Sequence, residues 1–333
     1  MSEMLGQIQS LGEQFRWAAE AEAPHIGTFS EVLCAGMGGS GIAGDYAAAV
    51  ARPDGTRVSV HKGYGPLPLW AIRQRPLVIA ASYSGNTEET LDVVVSAFES
   101  GLAVATVCTG GRLADLSAQN HWPSITVPSG LQPRAALGYM AGAVIRLLEG
   151  SNSVGDQRLA FLEAAKLADD LTAEGSPVWE QASSIAEALE GRIPIVYGGG
   201  PVSGVVAQRW KTQINENAKV PSWFSQLPEL DHNEITGWET LGDLTRASVG
   251  VVVLRDENDH DRVVRRIQHT RELTKDSVPW VGEVMSTGSS TLARLVSLTV
   301  VGDLTSYLLA ERLGVDPTPV ATIEKLKKLL IEE

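Results

Sequence analysis

The 333-residue sequence is short of cysteine and of positive charge. Its two cysteines, Cys34 and Cys108, both fall inside apolar runs, so the sequence favours neither a disulfide framework nor a cysteine metal site. With 27 lysines and arginines against 40 aspartates and glutamates, the formal net charge is -13, which opposes binding to nucleic acid or to an anionic membrane. Any anion that the protein recognises must therefore be small and must be held by a local site.

Long apolar runs are lacking as well. The most apolar late stretch, residues 292–309, is interrupted by Arg294 and Asp303, and we expect it not to span a membrane. The N-terminal residues combine helical periodicity with several glutamates, unlike the basic start and apolar core of a signal peptide. The sequence therefore predicts a protein of the reducing cytoplasm.

Short β-rich runs alternate with helical patterns along the chain. This alternation predicts an α/β fold with doubly wound parallel sheets, covered by helices on both faces. The predicted strands cover residues 32–35, 58–61, 77–81, 104–108, 125–127, 193–197, 249–254 and 279–284. The main predicted helices cover residues 134–149, 156–171, 205–215, 261–274, 291–313 and 320–330.

A stretch of small and polar residues, 150–155, divides the chain into two comparable parts. We expect an N-terminal domain at residues 1–153 with a leading helix, and a C-terminal domain at 154–333 with a linker helix and a C-terminal helix. Residues 32–41 and 195–204 share one pattern of strand, glycine turn and helix, which is typical of a diverged duplication. Two similar domains are predicted, with the functional site between them.

The most informative segment is residues 77–91, in which an apolar strand runs directly into Ser82, Ser84 and Thr87 at a turn that opens a helix. Hydroxyl groups and the free amides of the first helical turn converge there, and the helix dipole favours an anion. The segment therefore predicts a phosphate site. The alternative is that Asn86 or Thr87 is only a helix cap.

A second turn of this kind, Gly36-Met-Gly38-Gly39-Ser40-Gly41, follows the strand at 32–35. Because the carboxyl ends of parallel strands lie at one edge of a sheet, both turns can face a single ligand. The turn also matches the G-x-G-x-x-G pattern of dinucleotide sites. Such a site requires an acidic residue at the end of the next strand, where this chain has His61 and Lys62, so a smaller phosphate ligand is favoured.

Ionisable residues crowd between prolines and tryptophans in residues 215–221 and 227–238. Glu216 lies at the end of a predicted helix, where the negative end of the helix dipole raises a carboxyl pKa toward that of a general base. His232 is the second candidate for proton transfer. The alternatives are a glutamate on a solvated face and a loop histidine that caps a backbone group.

Residues 256–261 contain three aspartates, a glutamate and a histidine. Their composition resembles that of a metal-binding run, but we interpret the segment as a solvated acidic loop. The sequence shows no His/Glu ligand spacing for zinc. Neither a metal nor a cofactor is predicted.

The two turns, residues 36–41 and 82–90, resemble those of sugar isomerase (SIS) domains, which have a flavodoxin-like fold. Asn-Glu-Asn-Ala-Lys at 215–219 and Pro-Glu-Leu-Asp-His-Asn-Glu at 228–234 resemble the bifunctional phosphoglucose/phosphomannose isomerases, and the likeness spans nearly the whole chain. The resemblance implies two SIS domains. It also implies interconversion of glucose 6-phosphate and mannose 6-phosphate with fructose 6-phosphate through a cis-enediol(ate).

The resemblance also implies roles for individual residues. Glu216 would be the base, Arg134 would stabilise the enediolate, and His232, from the neighbouring subunit of a homodimer, would open the sugar ring with Lys327. Lys325 and Lys328 are the alternatives to Lys327. The substrate phosphate would be held by Gly38, Gly39, Ser40, Ser82, Ser84 and Thr87.

Two other functions stay open on the sequence alone. One is a non-catalytic SIS regulator that binds phosphosugars, and the other is an aminosugar-phosphate isomerase. The chain also departs from the family at one position, because members that accept both epimers are thought to have a threonine seven residues before the lysine, where this chain has Val320. Valine is nearly isosteric with threonine, so we expect both epimers to react.

Overall fold

The computed structural model describes residues 3–332, which form two α/β halves, each built on a parallel sheet. The strands of the first sheet are β1 (Glu31–Ala35), β2 (Arg57–His61), β3 (Leu77–Ala81), β4 (Val104–Cys108) and β5 (Ser124–Thr126). Their order across the sheet is β2-β1-β3-β4-β5, the flavodoxin-like order.

The central strands of this sheet are apolar on both faces because helices cover both faces. Every residue of β3 and of β4 is buried. Val32 pairs with Leu77 and Val78 pairs with Val104, all in parallel register. Burial on both faces explains why these strands appear in the sequence as continuous apolar runs rather than as alternating ones.

The helices of the first half are α1 (Glu3–Gln9), α2 (Leu11–Glu20), α3 (Gly38–Ala51), α4 (Leu69–Gln74), α5 (Glu88–Glu99), α6 (Gly111–Asn120) and α7 (Leu137–Gly150). Short 3-10 turns lie at Arg52–Asp54 and Pro133–Ala135. Helix α3 follows β1 directly, α5 begins seven residues after β3, and both start at the same edge of the sheet.

The second sheet contains β6 (Ile193–Gly199), β7 (Trp223–Leu227), β8 (Val249–Arg255) and β9 (Trp280–Met285), in the order β7-β6-β8-β9. Its helices are α8 (Arg158–Thr172), α9 (Pro177–Leu189), α10 (Gly200–Gln213), α11 (Glu234–Gly237), α12 (Gly242–Ser248), α13 (Asp261–Thr274), α14 (Thr291–Arg312) and α15 (Ala321–Glu332). Helix α10 continues into a π-helical turn, Ile214–Ala218, and a 3-10 turn covers Glu229–His232.

Helix α14 is the centre of the core that joins the two halves. It packs against α8, α9 and α10, and its Thr299 hydroxyl is hydrogen bonded to that of Tyr46 on α3. Among the described residues, α14 is the one helix long and apolar enough to cross a membrane, but 94% of its most apolar window is buried inside the protein. That degree of burial is expected of a core helix.

The predicted α/β class, with two similar doubly wound parallel sheets, is confirmed. The sequence does not predict β7, a short strand between two prolines in which only Leu227 is buried, so no apolar run marks it. The predicted helix 134–149 begins only at Leu137, because Pro133 and Arg134 form a 3-10 turn. The domain boundary after residue 153 stays a prediction, since α8 packs against both α2 and α14.

Candidate active site

The sheet order places the two sequence-predicted turns beside each other. Strands β1 and β3 are neighbours, and the order of the strands reverses between them. In doubly wound sheets this switch point, at the carboxyl ends of the strands, is where ligands bind. The structure therefore brings Ser40, after β1, to the same sheet edge as Ser82, Ser84 and Thr87, after β3.

Hydrogen bonds connect the two turns and define the serine turn. The Tyr83 amide donates to Ser40 Oγ at 3.1 Å, and the hydroxyl oxygens of Ser82 and Thr87 are 2.8 Å apart. Thr87 precedes α5 but makes no side-chain capping bond to it. Asn86 instead accepts from the Arg112 amide and donates to the Ser84 carbonyl. Neither side chain therefore caps α5, and Asn86 instead binds a first-turn amide of α6.

The glycine turn lies directly against the segment that carries Arg134. A Cβ atom on Gly39 would lie 2.8 Å from the Pro133 carbonyl oxygen, so only glycine fits without a shift of the backbone. Gly38 has φ +50°, a left-handed conformation that favours glycine. Gly39 therefore lets the predicted phosphate turn approach the arginine segment closely, and Gly38 provides the left-handed conformation that the turn requires.

Arg134 is buried, at 3% exposure, and its guanidinium group is held by several hydrogen bonds. Its Nε donates to Asn217 Oδ1 at 2.7 Å, and its Nη2 donates to the carbonyls of Pro317 and Thr318 at 2.7 and 2.9 Å. Its Nη1 is 3.6 Å from Glu216 Oε2. The structure therefore brings together Arg134 from the first half and Glu216 from the second.

Glu216 lies in the π-helical turn at the end of α10, and its side chain is 27% exposed. π-Helical turns are frequent at functional sites. Burial raises the pKa of Glu216 above its ordinary value, and the cations Arg134 and Arg209 act against that rise. A half-buried carboxylate with a raised pKa beside an arginine can accept a proton from carbon while the arginine stabilises the anion that forms.

His232 is the site candidate that the structure does not join to the others. It ends the 3-10 turn that follows β7, and its side chain is exposed. Among the contacts of residues 3–332, no hydrogen bond or ion pair connects His232 with Glu216, Arg134 or the serine turn.

Lys327 lies on α15, whose side chains are exposed up to Leu330. Together with Ser84, Thr87 and Arg112 it lines a cleft of about 810 Å³ beside the serine turn. Lys325 and Lys328 are not among the residues that line this cleft. The structure thus places Lys327, rather than its two neighbours, on the side of the predicted phosphate site.

The interpretation of residues 256–261 as a solvated acidic loop is only partly right, because Glu257, His260 and Asp261 are exposed but the other two carboxylates are not. The side chains of Asp256 and Asp259 are buried rather than solvated. Arg294 Nε donates to Asp256 at 3.2 Å and Arg255 Nε donates to Asp259 at 3.3 Å, so nearby arginines supply the counter-charge that permits burial. Within residues 3–332, no group of three or more His, Cys, Asp or Glu side chains is arranged to hold a metal ion.

The sequence reasoning missed three polar residues around the Arg134 and Glu216 pair, namely Asn217, Arg209 and Asp303. The motif that contains Glu216 could have pointed to Asn217, and the four-residue spacing from Arg209 to Gln213 to Asn217 could have indicated a polar helix face. Asp303 is visible in the sequence only as one of two charged residues, with Arg294, that interrupt the apolar stretch 292–309, and no local signal indicates its partners.

Comparison with known proteins identifies the family. Residues 179–330 match the family model of the bacterial phospho-glucose isomerase C-terminal SIS domain. Over its whole length the chain is 35% identical to the bifunctional phosphoglucose/phosphomannose isomerase of Caldicellulosiruptor bescii, covering 97% of it. It is also 35% identical to the enzyme of the same name from Aquifex aeolicus, with 99% of each chain covered.

A solved structure of a hypothetical protein from Thermus thermophilus has the same fold. Its TM-score is 0.76 at 15% identity, with 99% of this chain and 90% of that chain covered. At 15% identity this likeness shows the fold alone, whereas the two relatives that are 35% identical over the full chain show the family. The chain belongs to the bifunctional phosphoglucose/phosphomannose isomerases.

Proposed function

We propose that the chain interconverts glucose 6-phosphate and mannose 6-phosphate with fructose 6-phosphate at the site formed by Arg134, Glu216 and the two turns. The observation that carries the proposal is the Arg134–Glu216 pair, at 3.6 Å, next to the glycine turn. A phosphosugar regulator has no use for a half-buried carboxylate with a raised pKa. This pair therefore favours an enzyme over a binding module.

The phosphate of the substrate would be held by neutral donors and helix dipoles. Ser40, Ser82, Ser84 and Thr87 supply hydroxyl groups, and α3 and α5 point their N-termini to the same sheet edge. Gly38 and Gly39 are the first residues of α3, where backbone amides have no partner within the helix. The overall charge of -13 makes such local stabilisation necessary for a dianion.

The isomerisation moves one proton between two carbon atoms. After ring opening, Glu216 takes the C2 proton of the aldose, which leaves a cis-enediolate that Arg134 stabilises. Glu216 then returns the proton to C1, and proton transfer between the two oxygens completes the ketose. Because the reaction is internal to the sugar, it consumes no oxidant, and we propose that it needs neither a metal nor a cofactor.

Ring opening requires a proton at the ring oxygen and removal of one from the O1 hydroxyl. We assign this transfer to Lys327 and to His232 of a second copy in a homodimer. The exposed His232 side chain, unconnected to Glu216 in its own chain, supports a role across an interface. The negative net charge supports small phosphosugars, rather than nucleic acid or membranes, as partners. The buried free thiols of Cys34 and Cys108 fit the reducing cytoplasm.

A coupled assay tests the proposed function. The purified protein is given fructose 6-phosphate, and the formation of glucose 6-phosphate and mannose 6-phosphate is followed separately. Glucosamine 6-phosphate is the comparison substrate. Turnover of fructose 6-phosphate to both aldoses is expected. Turnover of glucosamine 6-phosphate alone would assign an aminosugar-phosphate isomerase, and tight binding without turnover of either would assign a regulator.

A further inference from the structure

A row of buried polar side chains lies behind the proposed base and has no part in the chemistry described so far. Three of its members are spaced four residues apart on α10 and its π-helical turn, so they share one side of the helix. That side faces α14, which contributes two more members one turn apart. The row consists of Arg209, Gln213, Asn217, Asp303 and Ser306, all of which are buried.

The centre of the row is an ion pair. Arg209 Nη2 donates to Asp303 Oδ2 at 2.6 Å, and Gln213 Nε2 donates to Asp303 Oδ1 at 2.9 Å, so both carboxylate oxygens are engaged. The same Arg209 nitrogen donates to the backbone carbonyl of Arg134 at 3.1 Å. The Arg209–Asp303 ion pair is thus hydrogen bonded to the backbone of Arg134, the arginine that faces the proposed base.

The end of the row holds the side chain of the same arginine. Asn217 Nδ2 donates to Ser306 Oγ at 2.9 Å, which orients its Oδ1 to accept from Arg134 Nε at 2.7 Å. Asn217 is also the residue after Glu216 in the π-helical turn. Helix α14 therefore supports Arg134 indirectly, because Asp303 holds Arg209, which binds the Arg134 backbone, and Ser306 holds Asn217, which binds the Arg134 side chain.

We infer that Arg209 and Asp303 form a positioning pair that holds Arg134 opposite Glu216 and balances the charge around the base. The inference rests on the proposed function, in which Glu216 is the base. Both side chains are closed off from solvent, at 2% and 4% residue exposure, so they act through Arg134 and Glu216 and not on the substrate.

The charge balance gives the pair a measurable signature. Burial raises the pKa of Glu216, and cations oppose the rise. These cations are Arg134, Arg209, Lys219 and Lys211. Asp303 offsets the charge of Arg209. Loss of the Asp303 charge should therefore lower the pKa of Glu216, and loss of the Arg209 charge should raise it.

The experiment compares Asp303→Asn and Arg209→Gln by the pH dependence of kcat/KM for fructose 6-phosphate. The acid limb should move to lower pH in Asp303→Asn and to higher pH in Arg209→Gln, each by at least about 0.5 pH unit. We expect kcat to fall about 10-fold or more in both variants, with KM within about 3-fold, because the phosphate turns are untouched. A role in folding alone predicts no opposite shifts.

Arg146 provides a matched control, because none of its hydrogen-bond partners belongs to the proposed site. It too is buried, its Nη1 pairs with Glu149 at 2.5 Å, and its Nε and Nη2 donate to the backbone carbonyls of Ala18 and Ala19 at 2.7 Å. Arg146→Gln should lower the unfolding temperature but leave the acid limb of the folded enzyme in place. Equal acid limbs in Arg146→Gln, Arg209→Gln and Asp303→Asn would overturn the inference.

Arg209→Lys decides the matter if the other variants do not fold. It keeps the charge, so the acid limb should stay within about 0.3 pH unit, while kcat should fall about 3- to 10-fold because an ammonium lacks the planar fork of arginine. A wild-type kcat in this variant would overturn the inference. Glu216→Gln separates the two proposals. If this variant stays active, the assigned base is wrong. If it is inactive but the acid limbs of Asp303→Asn and Arg209→Gln do not move, only the positioning pair is refuted.

Discussion

Arg134 Nη1 lies 3.6 Å from Glu216 Oε2, and the two residues come from opposite halves of the chain. This separation is longer than a hydrogen bond, so the carboxylate oxygen is not occupied by a hydrogen bond from the arginine. Nε and Nη2 of the arginine make three shorter hydrogen bonds, of 2.7 to 2.9 Å, to other parts of the site. The guanidinium charge is thus fixed beside the carboxylate while the carboxylate stays able to accept a proton.

The raised pKa of Glu216 predicts where activity is lost in acid. Burial favours the protonated carboxyl, so the base is lost as the pH falls through a pKa above the ordinary value of about 4.3. The acid limb of kcat/KM should therefore lie above that value. Because Arg134 opposes the rise, Arg134→Gln should move the limb to still higher pH and should also reduce kcat. A limb in Arg134→Gln at or below the wild-type position would contradict this electrostatic account.

The phosphate site can be tested without changing the base. Ser84→Ala removes one hydroxyl donor, so the affinity for every 6-phosphosugar should fall together, by about 1.5 to 3 kcal/mol if the hydroxyl bonds a charged oxygen. Ser100→Ala, at the far end of α5, is the matched control and should bind normally. Calorimetry measures both variants. Equal affinities would return Ser84 to the role of a turn residue.

Mixed dimers test the origin of the histidine. Glu216→Gln and His232→Ala subunits should each be nearly inactive as homodimers. After random exchange, half of the dimers are mixed and each has one site with both groups intact, so about a quarter of the wild-type activity should return. Mass spectrometry verifies that mixed dimers form. Mixed dimers that stay inactive would show that His232 does not act across an interface.

The accepted epimers depend on the neighbourhood of Val320. Its carbonyl accepts from the amides of Ile323 and Glu324 in the first turn of α15, and it lies two residues after Thr318, whose carbonyl is bound to Arg134. Val320→Thr adds a hydroxyl at nearly constant volume, and one neutral hydrogen bond is worth roughly 1 kcal/mol. The ratio of kcat/KM for mannose 6-phosphate and glucose 6-phosphate should therefore change only a few-fold. A wild-type enzyme without measurable turnover of mannose 6-phosphate would show that dual specificity does not extend to this chain.

The parts of the site that the sequence predicts best are those made by neighbouring residues. Ser82, Ser84 and Thr87 follow a buried strand within six residues, so the chemistry of the turn and its place at the sheet edge are both local features. The repeated strand and glycine turn likewise indicated two sheets. These predictions need only the alternation of strands and helices and the geometry of parallel sheets.

The parts that the sequence could not place depend on contacts between distant segments. Arg134 and Glu216 are 82 residues apart, and their likeness to the family suggested roles but no distance. Asp303 interrupts the apolar stretch 292–309, but its partners Arg209 and Gln213 meet it only when α14 packs on α10. Strand β7 forms because it pairs with β6, and its own residues, which are mostly not buried, do not mark it as a strand.

The central claim is that Glu216 carries the proton between C2 and C1. Glu216→Gln keeps the size of the side chain but cannot accept that proton, so turnover should fall by roughly two to four orders of magnitude while the fold and phosphosugar binding persist. The direct measurement follows glucose 6-phosphate deuterated at C2 by NMR. The wild-type enzyme should move the deuterium to C1 or lose it to water, and Glu216→Gln should do neither at a comparable rate. Loss of the C2 deuterium by the variant at near wild-type rate would remove Glu216 from the mechanism.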